Sequence, residues 1–191
     1  MRKRAARCMV VGCIAIMSYI PVPARAGIRK DVRAYIANKR TVDWETASRI
    51  AAALVASAQR LARSHGERDE MFWLGVLVGI AQTESNFSPV AVSGKDALGV
   101  MQVHWPTWGR KMEAYGFGRE ALFDPAINVL CGSAIYSDCV SGAGEDVVGG
   151  LYRYYGAPDR GYAVKVLRHA VEFTVAQKRM NASQDANRQT E

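Results

Sequence analysis

Seventeen residues, Met71 to Phe87 (MFWLGVLVGIAQTESNF), constrain this chain more than any others. Eleven of them, Met71 to Ala81, carry no charge and no polar side chain. A bilayer crossing needs roughly 20 apolar residues, so the run is too short to span one. It reads as a buried helix, apolar on every side because it forms the centre of a small domain. It closes on one carboxyl, Glu84, followed by Ser85 and Asn86. A carboxyl delivered at the end of such a helix is partly dehydrated. Dehydration disfavours the charged form and raises the pKa. A carboxyl that stays protonated near neutral pH can serve as a general acid. The other reading of Glu84 is a surface carboxylate at a helix end, and this stretch alone leaves both open.

The chain has 191 residues, enough for one domain with a real core and hardly for two. A hydrophobic content of 49% argues for a globular protein. The formal charge of +7 is uneven. Five of the 25 Lys and Arg and none of the 18 Asp and Glu fall in residues 1–26, which leaves +2 for the remainder. The basic balance gives no support for nucleic-acid binding. The amino terminus instead has the layout of a signal peptide. Arg2, Lys3, Arg4 and Arg7 precede an apolar core, Cys8 to Ile20, and Ala24-Arg25-Ala26 is a small-x-small cleavage site. Cleavage after Ala26 would leave Gly27 first. An uncleaved anchor, or lipoprotein processing at Cys13 after Val10-Val11-Gly12, are the alternatives. Export permits disulfides, and Cys131 and Cys139 form an even pair. Eight residues along one helix span about 12 Å, however, and bridged Cα atoms lie roughly 4.4–6.8 Å apart. Either the helix breaks between them or both are buried thiols. Neither has a His or a third Cys nearby, so no metal is expected.

The rest of the domain reads as helices. A short one is expected over Gly27 to Asn38. A stronger one lies within Thr41 to Ser64, capped by Asp43, stopped by Gly66, with Ile50, Leu54, Ala58 and Leu61 at helical spacing. Residues 90–104 read as a loop or short strands lining a groove. Trp105-Pro106 opens a short helix to about Ala114, and Tyr115 to Phe123 reads as a loop. Asp124-Pro125 opens a helix to about Ser141 with Ile127, Leu130, Ala134 and Ile135 on its apolar face. Glu145 to Tyr155 forms the next helix. Asp159 to Met180 is the last, with Val164, Leu167, Val171 and Val175 expected to face the core. Residues 181–191 lack apolar anchors and read as a flexible tail. The class is mainly α, one domain over residues 27–180.

Three histidines, His65, His104 and His169, sit far apart without metal-site spacing. Ser85 and Ser93 lack a nucleophile elbow, and there is no phosphate-binding glycine loop. What remains is a carboxyl at a helix end, a loop of small residues, and the aromatics Trp105, Trp108, Tyr152, Tyr154 and Tyr155. A carboxyl and flat rings in one groove suit a sugar polymer, because rings stack on the apolar faces of pyranoses. Core packing is the plainer role for each ring taken singly.

Four ordered blocks then carry a resemblance. Glu84-Ser85-Asn86-Phe87 comes first. Ser93 to Gln102 follows as S-x-x-D-A-x-G-x-M-Q. Phe123 to Gly132 reads FDPxxNVxxG, and Tyr154-Tyr155-Gly156 closes the set. Together they resemble the soluble lytic transglycosylase family, over about Leu74 to Leu167. The resemblance implies a lysozyme-like fold and no cofactor. It implies Glu84 as catalytic acid/base, cleaving the MurNAc–GlcNAc bond of peptidoglycan with formation of a 1,6-anhydro ring. Ser85, Ser93, Gln102, Tyr154 and Tyr155 are implied to bind substrate or to fix the acid, Tyr154 by a hydrogen bond near it. Gly99 and Ala97 are implied to keep the loop small for a glycan strand, and Asn128 to make a structural polar contact. With export, the resemblance implies a monomer working in the periplasm, with peptidoglycan as partner and envelope-spanning secretion or pilus components as further ones. Two positions depart from the family pattern: Asp96 stands where glycine is common and Tyr155 where asparagine is. Most glycosidases use two carboxylates. An Asp96 facing Glu84 would place a water, as in a hydrolytic goose-type lysozyme, whereas a loop hydrogen bond is its plainer role. A wall-binding assembly factor with weak cleavage is the alternative from another class.

Overall fold

Helix α3, Glu70–Ser85, is the axis on which the computed structural model is built. The structure describes residues 26–188 apart from 40, 67 and 115. Every residue of α3 from Trp73 to Ala81 is buried, which is why no polar face interrupts the run. Asp69 caps its start by accepting from the Phe72 N–H. Asn86 ends it in the left-handed region at φ 51°.

Six further α-helices surround it among the described residues: α1 (Ala26–Ala37), α2 (Trp44–His65), α4 (Trp105–Ala114), α5 (Pro125–Gly142), α6 (Val147–Tyr155) and α7 (Arg160–Arg188). A two-stranded antiparallel hairpin, β1 (Ala97–Leu98) and β2 (Val103–His104), pairs Ala97 with His104 and Leu98 with Val103. A 3-10 helix spans Arg119–Phe123, where the sequence suggested loop. The class is mainly α, as expected. Asp43 caps α2 by accepting from the Thr46 N–H, and Gly66 stops it in the left-handed region. Asp124 accepts from the Ala126 and Ile127 N–H groups, with Pro125 at the first helical position.

The core has two parts. The larger one joins α1, α2, α3, α5, α6 and α7 around Trp73, Tyr136 and Phe173. The smaller lies under the hairpin and α4, around Leu98, Met112, Leu122 and Ile135. Helix α5 separates the two and is buried on most sides. Asn128, Val129, Gly132, Ser133 and Tyr136 are inside, while Ile127, Leu130 and Ala134 are only half-buried, so its expected apolar face is too narrow. It runs unbroken past Cys131 and Cys139, and neither is in a disulfide among the described residues.

Helix α7 departs from the sequence reading twice. The residues expected to face the core, Val164, Val171 and Val175, are exposed, and Leu167 is half-buried. The buried face carries Tyr162, Ala163, Val166, Phe173 and Gln177 instead. Close approach to α3 sets this choice. A Cβ at Gly79 would stand 2.3 Å from the Val166 carbonyl oxygen, and one at Gly75 would stand 3.7 Å from Ala170 Cβ. The two helices therefore run antiparallel with their backbones nearly touching, and small residues line the contact. The expected tail also differs, since α7 continues through residue 181 to Arg188. Adding a residue to a nucleated helix costs little even without packing. The signal-peptide reading lies outside the described residues except for Ala26, which opens α1.

Candidate active site

Antiparallel packing of α3 and α7 decides what stands beside Glu84. Gly79 meets Val166. Five residues further along α3 is Glu84, and four residues back along α7 is Tyr162. The Tyr162 hydroxyl donates to Glu84 Oε1 at 2.6 Å. Glu84 is half-buried and opens onto a groove of about 680 Å³ between the two parts of the core. Burial pushes its carboxyl above the ordinary carboxylate range, while the Tyr162 hydroxyl and the Lys165 ammonium pull it back. Burial and the neighbouring Glu84 push the Tyr162 phenol far up, so that it remains a donor at all working pH values.

The hydrogen bond expected near the carboxyl from Tyr154 thus comes from Tyr162, which the sequence reading did not single out. Tyr154 lines the groove, but its hydroxyl donates to the Met101 carbonyl at 2.8 Å. Tyr155 lines the groove too and is 50% exposed. Its ring stacks on Tyr162 with centroids 4.5 Å apart and planes 21° apart. The exposed face of Tyr155 is one ring away from the hydroxyl that holds the acid. Trp108 is the third aromatic of the groove. Trp105 packs on the smaller core and Tyr152 against the larger one, and neither lines the groove as expected.

The loop opposite is built by backbone geometry. Ser93 Oγ accepts from the Lys95 and Ala97 N–H groups, and Ser93 lines the groove. Gln102 lines it as well, at φ 49°, and its Nε2 donates to the Ala91 and Gly99 carbonyls. Ser85 does not line it. The Ser85 hydroxyl donates to the Val100 carbonyl at 2.7 Å and ties the end of α3 to the loop. Gly99 also has a different reason from the one expected. Its φ is +71°, and a Cβ there would come within 2.3 Å of Asn128 Nδ2. Gly99 makes room for Asn128, not for a ligand. Buried Asn128 in turn donates to the Leu98 and Leu122 carbonyls and accepts from the Met101 N–H, so one side chain locks the loop to α5.

Asp96 has φ 59°, which explains why glycine would suit this position; among L-residues Asp and Asn tolerate it best. Its carboxylate pairs with Arg119 at 2.5 Å, and that guanidinium holds it below the usual carboxylate range. Asp96 does not line the groove, where Glu84 is the acidic residue among the described ones. The histidines do not gather. His104 lines the groove and bonds Thr107, His65 joins Glu145 and Ser137, and His169 bonds Glu172.

Comparison with known proteins places the chain in a family. The family model described as "Transglycosylase SLT domain" matches residues 63–160, just over half of the chain. A relative from Yersinia enterocolitica, "Membrane-bound lytic murein transglycosylase C", is 49% identical over 67 residues, covering 32% of this chain and 19% of the relative. A protein of the same name from Serratia proteamaculans is 41% identical over 70 residues, covering 31% of this chain and 18% of the relative. The match therefore takes in less than a fifth of either relative's length. By the span of the family match, with the groove acid and its supporting loop inside that span, this chain belongs to the Transglycosylase SLT domain family.

Proposed function

We propose that this chain is a peptidoglycan lytic transglycosylase with Glu84 as its general acid and base. The observation that carries the reading is a single half-buried carboxyl in the groove, held by the Tyr162 hydroxyl and raised in pKa by burial. Hydrolysis by retention or inversion calls on a second carboxylate about 5–9.5 Å from the first. The described residues lining the groove offer none, because Asp96 is engaged with Arg119 outside it. One carboxyl suffices when the sugar supplies its own nucleophile. Protonated Glu84 gives its proton to the glycosidic oxygen, and the bond from that oxygen to C1 of MurNAc breaks. The 6-hydroxyl of the same sugar closes onto C1 and returns its proton to the Glu84 carboxylate. No water is consumed, and the acid is regenerated.

Tyr155 and Trp108, which line the groove with the acid, would offer flat faces to sugar rings. Ser93 would contribute its hydroxyl hydrogen, and Gln102 and Tyr154 would shape the wall near the scissile bond. The names of the relatives, which call those proteins membrane-bound and murein-directed, support a place of action in the cell envelope. The finer assignment to the periplasm rests on the leader-like residues 1–26. Mass analysis of muropeptides released from isolated cell walls by the purified chain tests the reading. Anhydro-ended products, lost with Glu84→Gln, are expected. Ordinary reducing ends would make the protein a hydrolase instead.

A further inference from the structure

The valines of α7 that turned away from the core form a line of their own. Val164, Arg168, Val171, Val175, Lys178 and Ala182 recur at alternating spacings of four and three, and all six are exposed. Val164 is 66% exposed, Val171 62% and Val175 41%. Alternation of four and three is the seam spacing by which one helix packs against another along its length. The helix that carries it has 29 residues, about 43 Å, and its opposite face is occupied by α3 and α1.

We propose that this line is a docking seam for a helix of a partner protein, one with apolar residues at the same spacing and Glu or Asp beside them. Charge selects the occupant. Lys165, Arg168, Lys178 and Arg179 lie on or beside the line between residues 164 and 182 and are exposed, against one acid among the described side chains of that stretch, Glu172, which Arg168 faces at 3.8 Å. An acidic helix is complementary to that row. A second copy of this chain is not, because antiparallel pairing would set Arg168 against Lys178 of the other copy. A lipid surface fits less well, since interfacial helices bury a broad face rich in Trp, Phe and Leu, and this stripe is one residue wide with three valines as its large apolar residues. The seam is short, so binding is weak and sensitive to single changes.

The test uses the full chain and a fluorescently labelled 21-residue peptide with Leu and Ile at seam positions and Glu at the flanking ones, read by anisotropy below the peptide's own association range. A twin peptide with Lys in place of Glu is the control. Binding of the Glu peptide at least tenfold tighter than the Lys twin is expected, with a further loss of tenfold or more in the Val171→Ser/Val175→Ser double variant and in Arg168→Glu/Lys178→Glu. Wall cleavage and thermal midpoint should stay unchanged in both variants. Three results overturn the proposal: no preference between the twins or indifference to the valines; sedimentation of the chain alone as a dimer that these variants dissociate, which would assign the seam to a second copy; or valine-dependent binding to vesicles containing anionic phosphatidylglycerol without peptide binding, which would assign it to a membrane.

Discussion

Helices α3 and α7 lie against each other, yet they obey different rules. In α3 burial follows hydropathy: the unbroken apolar run from Trp73 to Ala81 is inside at every position. In α7 hydropathy misleads. Three valines face water while Ala163, Gln177 and a tyrosine face the core. What decides the orientation of α7 is the flat strip that Gly75 and Gly79 leave on α3, which rewards close backbone approach over side-chain bulk. One helix is placed by its own composition and the other by the surface it must fit.

The sharpest way to break that comparison is at the acid α3 delivers. Glu84→Gln should lower cleavage by about 10²–10⁴-fold, the usual share of general acid–base catalysis, measured as anhydro product formed per unit time. The same change should raise the thermal midpoint near pH 7.5. A carboxyl whose folded pKa is raised lends stability that is complete below its unfolded pKa and disappears as pH climbs through the folded one. Neutral Gln escapes that loss, so the gap between variant and wild type should close as pH falls toward the ordinary carboxylate range.

Gly79→Ala comes next. Its methyl would stand 2.3 Å from the Val166 carbonyl oxygen, a backbone atom that cannot swing aside. Overpacking of this kind costs about 1–3 kcal/mol, sometimes more, readable by urea unfolding. If it proves neutral, the close-approach account of α7 fails. Tyr162→Phe is the third. Loss of one hydrogen bond to a charged group, about 1.5–3 kcal/mol, should reduce kcat by roughly tenfold or more. Because the hydroxyl holds the Glu84 pKa down, its removal should move the alkaline limb of the activity profile to higher pH. Lys165→Met should shift that limb in the same direction, by less. The smallest effect belongs to Val171→Ser, which should change unfolding free energy by no more than about 0.5 kcal/mol. Had α7 faced inward on its valines, that change would have cost several times more.

The legible parts of this protein were those fixed locally. Asp43, Asp124 and Gly66 announce helix ends because capping is a matter of neighbouring residues. The apolar run announces α3, and the four blocks announce the acid and its loop. Tyr162 was not legible, since its role depends on the register between two helices far apart in the chain. The only pointer was arithmetic: Glu84 lies five residues beyond Gly79, and Tyr162 lies four before Val166, which has meaning only once those two are known to touch. Ser85 and Gly99 were legible as positions and misleading as roles. Both serve the backbone of the loop, one through Val100 and the other by leaving space for Asn128.

The hydroxyl on Glu84 comes from a segment that follows all four blocks in the chain, and so emerges after them. Until that segment lies down along α3, the glycine strip is wet and the Glu84 carboxyl lacks the Tyr162 hydroxyl. A nascent or clipped chain that stops before residue 160 would carry every recognisable block and still lack the hydroxyl that holds Glu84. The groove is thus finished by docking: the partner of its one acidic side chain arrives last.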